Sequence, residues 1–130
     1  MKQRMPAPIR VLIADDHRLF AEALEVMLST EERIEVVGRA ADGDEAVRMA
    51  RKLEPDVVAL DISMPVMDGF EAAAELEQLT RPPAVLMLTG SSSPEDVDRA
   101  RRLGAKGYIT KDAIAARLVD AILAAAGSHG

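Results

Sequence analysis

The chain contains no cysteine, which removes disulfides, thiol nucleophiles and cysteine-ligated zinc while leaving the redox compartment open. Aromatics are nearly missing too. With one Tyr and two Phe among 130 residues, the core must be built from Val, Leu, Ile, Met and Ala, a mixture suited to helices covering a sheet. No uninterrupted apolar run approaches the ~18 residues of a membrane span. Nor does a hydrophobic signal segment follow Met1-Lys2-Gln3-Arg4. A cytoplasmic, soluble protein without membrane contact is expected. Positive charge is the scarcer sign, 16 Lys and Arg against 22 Asp and Glu, and the net charge of -6 speaks against direct nucleic-acid binding by this segment. Neither Gly-x-Gly-x-x-Gly nor Gly-x-x-x-x-Gly-Lys-Ser/Thr occurs, so a nucleotide-binding enzyme has no phosphate loop to work with.

What the chain does have is alternation. Apolar stretches at 9–14, 34–37, 57–60, 84–88 and 108–109 are separated by segments of helical spacing. The unbroken runs Val11-Leu12-Ile13-Ala14 and Val57-Val58-Ala59-Leu60 suit strands buried on both faces, as crossover helices require. Helical stripes follow. Leu19, Phe20, Ala23, Leu24, Met27 and Leu28 form the first, with Glu22 and Glu25 outward; Ala46, Val47, Ala50 and Leu53 form the second. Phe70, Ala73, Leu76 and Leu79 supply the third, Val97, Ala100 and Leu103 the fourth, and Leu118, Val119, Ile122 and Ala126 the fifth. The pattern predicts an α/β fold, a doubly wound (βα)5 unit with a five-stranded parallel sheet.

Turn chemistry agrees with that division. Ser93 before Pro94, with Asp96 at N3, fits a helix start, and Gly104 fits a helix end that needs positive φ. Asp42-Gly43-Asp44 fits a turn feeding a helix, and Pro55-Asp56 a stop before a strand. One domain over 7–126 is expected, followed by a short tail at 127–130.

A sheet of this kind delivers the carboxyl ends of its strands to one edge, where ligands gather. Asp15 and Asp16 follow the first strand, Asp61 the third, Thr89 the fourth and Lys111 the fifth. Three carboxylates brought together repel one another unless a cation neutralises them. Mg²⁺ suits such an oxygen site and keeps waters that phosphate oxygens can replace. Zinc has a weaker claim, with no cysteine and only His17 nearby. Asp61, on a rigid strand tip, is placed as a nucleophile; Lys111 can neutralise an incoming phosphoryl group, and Thr89 can donate its hydroxyl to it. Taken singly, each residue also has an ordinary reading. Asp16 can cap the helix beginning near His17, Asp15 and Asp61 can be turn residues, Thr89 a local backbone partner and Lys111 solvated surface.

Together these residues resemble the receiver domain of bacterial two-component response regulators, in the NarL/FixJ-type branch that in longer proteins precedes a LuxR-type helix-turn-helix. The resemblance is carried by Val11-Leu12-Ile13-Ala14-Asp15-Asp16-His17, Val36-Val37-Gly38 with Ala41-Asp42-Gly43, Leu88-Thr89, and two longer stretches, Pro55 through Gly69 and Leu103 through Ala113. It spans nearly the whole chain. It implies a flavodoxin-like receiver topology with strand order 2-1-3-4-5, and phosphorylation of Asp61 by a sensor histidine kinase or a small phosphodonor. It also implies Mg²⁺, with Mn²⁺ as a substitute, held by Asp16, Asp61 and the backbone carbonyl of Ser63, with Asp15 acting mainly through water. Thr89 and Lys111 are implied to contact the phosphoryl oxygens. Thr89 and Tyr108 are implied to switch the surface of the fourth helix, fifth strand and fifth helix. Such a chain is a phosphoacceptor rather than a turnover enzyme. Its partners are the kinase and either a second copy or a downstream protein.

Some residues limit the likeness. Many receivers carry Pro after the lysine, often behind a cis bond; here Asp112 follows, where a cis bond costs about 2.5–4 kcal/mol. Ser63 and Ser91 are expected beside the approach of the hydrolytic water. Met87 reads as core, His17 as noncatalytic, and Arg99, Arg101, Arg102 and Arg117 as either a solvated face or a partner surface. The rival functions are a receiver-like adaptor working through protein contacts without phosphorylation, and a phosphohydrolase. The Asp-x-Asp common after the first strand of the latter is absent. Met1 and the short tail favour a stand-alone receiver, whereas the branch resembled favours one cut ahead of an output domain.

Overall fold

A computed structural model of the chain describes residues 7–90 and 93–128. Five strands, β1 (Ile9–Ala14), β2 (Ile34–Ala40), β3 (Val57–Asp61), β4 (Ala84–Thr89) and β5 (Gly107–Thr110), form one sheet in the order β2-β1-β3-β4-β5. Every pairing is parallel. Helices α1 (Arg18–Ser29), α2 (Gly43–Leu53), α3 (Gly69–Glu77) and α4 (Pro94–Arg102) make the four crossovers, and α5 (Ile114–Ser128) follows β5 through a 3-10 turn at Lys111–Ala113. The doubly wound architecture and its strand order are those expected.

The unbroken apolar runs have their physical reason here. β3 and β4 are buried at every position because helices cover both faces of the sheet. Alternate residues then serve opposite layers. Leu12, Val58, Leu60, Val85 and Met87 pack against the α2–α4 side, where Ala46, Ala50, Ala72, Ala73 and Ala100 let helices approach closely. Val11, Ile13, Val57, Leu86 and Leu88 pack against α1 and α5 through Leu24, Leu28, Leu118 and Ile122. Each such Leu or Ile contributes roughly 1.5–3 kcal/mol of burial. Met87 is wholly buried in the core.

Helix ends follow from local chemistry. The Asp42 carboxylate accepts from the Glu45 backbone N–H at 2.8 Å. Asp68 and Glu71 form a reciprocal capping box at the start of α3. α2 stops at Glu54, whose φ of 49° turns the chain left-handed just ahead of Pro55, and Gly104 takes φ 90° after α4. Ser93 stands at the N-cap of α4 as read, but its hydroxyl donates to Glu95 Oε2 at 2.8 Å rather than capping the backbone.

Several boundaries differ from the reading. β2 runs three residues further than 37, and β5 gains one residue at each end. Asp61 and Thr89 are the last residues of their strands rather than the first after them. On α1 the buried face is Ala21, Leu24 and Leu28, with Phe20 and Met27 partly covered; Leu19 and Ala23 face water, and Glu22 and Glu25 turn toward Arg39. Leu79 packs on the core from beyond the end of α3. α5 continues through Gly127 to Ser128, past the residue read as the opening of a tail. The Lys111–Asp112 bond is trans. Ser91, expected near the water approach, lies outside the described residues. Among the described residues, no helix is long and apolar enough to cross a membrane.

Candidate functional site

The register of the sheet assembles the acidic edge. Ala14 pairs with Leu60, so Asp15 and Asp61 come next on neighbouring strands, and Asp61 itself lies beside Leu88, one residue before Thr89. Asp15, Asp61 and Thr89 are the buried polar or charged residues among those described. Thr89 is paired with Thr110, which leads directly into Lys111. Lys111 Nζ lies 3.2 Å from Asp15 Oδ2 and 3.5 Å from Asp61 Oδ2. The lysine ammonium stands over the ring of Phe20, with Nζ 4.5 Å from the centroid.

One ammonium does not satisfy two buried carboxylates. Asp15 Oδ2 and Asp61 Oδ2 are ion-paired with Lys111, yet neither accepts a well-aligned hydrogen bond. Burial, reinforced by the Asp15 charge, pushes the Asp61 carboxyl up to about 6, against the opposing pull of Lys111 and the Ser63 N–H. That N–H reaches Asp61 Oδ1 at a long 3.4 Å. Asp15 is anchored more firmly: its Oδ1 accepts the His17 backbone N–H at 2.8 Å, and its own N–H donates to the Ala40 carbonyl at 3.0 Å. Oxygens or nitrogens of Asp15, Asp16, His17 and Asp61 all fall within 4.8 Å of one another. Two buried carboxylate oxygens with unused acceptor capacity, in a set rich in oxygen donors, fit a hard divalent cation.

The loop after β3 is built tightly around this edge. Gly69 donates to the Ile62 carbonyl at 2.7 Å, and a Cβ there would stand 2.3 Å from the Asp61 carbonyl oxygen. Gly43 donates to the Met67 carbonyl at 3.0 Å, where a Cβ would come within 2.1 Å of that oxygen. Between them Val66 has φ 68° in a γ-turn closed by Met67 N–H to the Pro65 carbonyl at 2.7 Å. A β-branched residue there costs of order 1–3 kcal/mol, and the two flanking glycine contacts hold it in place.

The structure therefore brings together Asp15, Asp16, Asp61 and Lys111, with Thr89 one residue further along the same edge. Ser63 is exposed beside Asp61. Tyr108 sits apart on the edge strand, half-buried, lining a groove of about 170 Å³ with Val97, Ala100, Arg101, Ala105, Lys106 and Gly107. Two features are not visible in the sequence pattern. Phe20, on a core stripe of α1, is also the platform for Lys111. Arg99 stacks on Phe70 at 4.2 Å, tying α4 to the first turn of α3. His17, expected near the acidic pair, joins the cluster with Nδ1 3.2 Å from Asp15 Oδ1 and 3.3 Å from Asp16 Oδ1.

Comparison with known proteins agrees with the geometry. The model of the response regulator receiver domain family matches residues 11–123. The chain is 39% identical over 117 residues to the transcriptional regulatory protein LiaR of Bacillus subtilis, covering 90% of this chain and 56% of LiaR. It thus spans about half the length of the curated relatives it matches. Among solved structures it resembles the signal receiver domain of NarL from Mycobacterium tuberculosis, with TM-score 0.90, 36% identity, and 95% and 99% of the two chains covered. It also resembles CheY of Borrelia burgdorferi, solved in a complex with CheX, BeF3 and Mg²⁺, with TM-score 0.84, 28% identity, and 90% and 88% covered. The match begins in β1 and ends in α5, leaving no strand unaccounted for, and the chain belongs to the family of response regulator receiver domains, related to the NarL/FixJ-type branch.

Proposed function

We propose that the chain accepts a phosphoryl group on Asp61 from the phosphohistidine of a sensor histidine kinase, in a Mg²⁺-dependent reaction. The acquired group is reported through the surface of α4, β5 and α5. The observation that carries this reading is the pair of buried carboxylate oxygens, Asp15 Oδ2 and Asp61 Oδ2, without hydrogen-bond partners under a single lysine. The large majority of buried side-chain acceptors that serve shape alone are hydrogen-bonded. The CheY relative solved with BeF3 and Mg²⁺ supports the same occupants here.

With its carboxyl near 6, Asp61 is mostly ionised at neutral pH and available as a nucleophile. Its carboxylate oxygen attacks phosphorus in line, the phosphorus–nitrogen bond of the donor breaks, and the electron pair leaves with the imidazole. Asp16, Asp61 and the Ser63 carbonyl, with Asp15 through water, would hold Mg²⁺ or Mn²⁺, which when bound would neutralise charge on the carboxylates and the transferring group. Lys111 turns from the carboxylates to a phosphoryl oxygen, and Thr89 donates its hydroxyl to another. Water attack later returns the free carboxylate.

Drawing Thr89 toward the phosphoryl group changes the end of β4. Tyr108, two positions before Thr110, the β5 partner of Thr89, and bordered by the α4–β5 groove, repacks in response. The functional unit we assign is 7–126; among the described residues, Ala126 of α5 still packs on the core, which supports that bound. Its output is contact with a second copy or a downstream partner, and the relatives named as transcriptional regulators make control of transcription by a longer protein the natural setting. The test is intact-mass measurement after incubation with acetyl phosphate or phosphoramidate and Mg²⁺. One phosphoryl adduct is expected, absent when the metal is chelated beforehand and absent in Asp61→Asn. No adduct under conditions that label an active receiver sinks the reading.

A further inference from the structure

Resting on that reading of the site, we propose that His17 Nδ1 is itself a metal ligand, and that this nitrogen gives the site a preference for late first-row divalent ions over Mg²⁺. The imidazole is not beside the cluster by accident of an exposed side chain. Its residue forms the N-cap of α1 in an extended conformation, and its backbone N–H is fastened to Asp15 Oδ1 at 2.8 Å. Both anchors aim Nδ1 at two carboxylates, 3.2 Å from Asp15 Oδ1 and 3.3 Å from Asp16 Oδ1. Asp15 and Asp61 approach from the buried side, with side chains 0% and 3% exposed and one oxygen of each without a hydrogen-bond partner. Ligands opposite one another around an ion with bonds of about 2.1 Å are about 4.2 Å apart. Within the 4.8 Å envelope of the four groups, Asp16, Asp61 and His17 can close on such an ion with Asp15 reaching it through water.

The ring is 66% exposed, which matters for its proton. With its proton on Nδ1, the ring would donate to the carboxylates it faces. Around an ion, the proton passes to Nε2, where water can accept it, and the Nδ1 lone pair turns to the metal. Mg²⁺ demands oxygen and gains little from an imidazole, whereas Ni²⁺ and its neighbours bind imidazole well and stand higher in the general order of affinity. An all-carboxylate site lacks this means of distinguishing them. His17 supplies it.

The duller role, a hydrogen-bond donor that merely steadies Asp15 and Asp16, is separated by His17→Gln, which keeps a donor for the carboxylates and removes the nitrogen lone pair. Both proteins are prepared with His129→Gln, so that His17 is the sole imidazole of the reference chain. Pulsed EPR of the Mn²⁺-loaded chain reads nitrogen coupling directly, and calorimetric titration reads affinity for Ni²⁺ and Mg²⁺. Expected are a nitrogen coupling that vanishes in His17→Gln and unchanged Mg²⁺ affinity. Ni²⁺ affinity should fall by at least the roughly 10- to 100-fold that loss of an outer-shell partner costs. Mn²⁺ bound without nitrogen coupling, together with equal Ni²⁺ affinity in both proteins, overturns the ligand role and leaves phosphorylation of Asp61 standing. Failure of every ion to bind overturns both.

Discussion

The two ends of the parallel sheet use similar charges to opposite effect. At the amino end Arg10 donates its backbone N–H to Asp56 Oδ2 at 2.8 Å and its guanidinium to the carbonyls of Leu53 and Glu54 at 2.7 and 3.1 Å. Asp56 returns its own N–H to the Arg10 carbonyl at 2.8 Å, and its carbonyl accepts from Ala84 at 2.9 Å. Donor meets acceptor throughout, and the charges act as a clasp. At the carboxyl end one lysine faces two buried carboxylates and leaves an oxygen on each without a hydrogen bond. Charge that only secures a shape is matched; charge kept for chemistry is left with capacity in hand.

The contrast is broken most severely by taking the cation from the carboxyl end. Lys111→Met leaves two buried carboxylates uncompensated and is expected to cost about 3 kcal/mol in urea unfolding at pH 8. The loss should shrink near pH 5, where Asp61 holds a proton. A cost independent of pH would mean that the lysine acts through packing on Phe20 instead.

A smaller effect comes from Asp61 in the intact, metal-free chain. Its carboxyl is raised from 3.8 to about 6, so between those values the folded chain keeps a proton that the unfolded chain has released. Stability attributable to this group is therefore full below about 3.8 and is lost as pH rises through about 6, by up to roughly 3 kcal/mol in all. Asp61→Asn should remove that slope and be the more stable protein at pH 7. Unfolding midpoints across the pH range decide it, and identical slopes in the two proteins would count against the buried-charge account.

The mildest change sharpens the other side. Arg10→Ala removes the guanidinium bonds to Leu53 and Glu54 and should cost about 1–2 kcal/mol. The rate of adduct formation with acetyl phosphate should stay as it is, because nothing at that end touches Asp61. A slowed rate would show that the two ends are not independent.

Much of this was legible in the residues. Runs such as Val57-Val58-Ala59-Leu60 announce a strand covered on both sides, and the polar residue that ends each run marks the edge where the site forms. The order of the strands came from the family resemblance, since alternation alone does not say which strand lies beside which. The face of α1 was misjudged because Leu19, Ala23 and Val26 interleave apolar positions with Ala21 and Leu24, and periodicity cannot choose between overlapping stripes. The Phe20 platform, the Arg99–Phe70 stack and the Gly43–Met67 contact join segments remote in sequence, so no local pattern announces them. Val66 at φ 68° is the reverse case, a local preference overridden by its surroundings.

Because Asp15 and Asp61 step off adjacent strands one position beyond the Ala14–Leu60 pair, their separation is counted in whole residues. Inserting one residue ahead of Asp61 turns its side chain to the other face of the sheet, among the helices, instead of moving it slightly. Distances at this edge cannot be drifted into by small insertions or deletions. The edge changes by replacing a side chain where it stands, which makes it a position-coded device whose variants differ in identity and hardly at all in spacing.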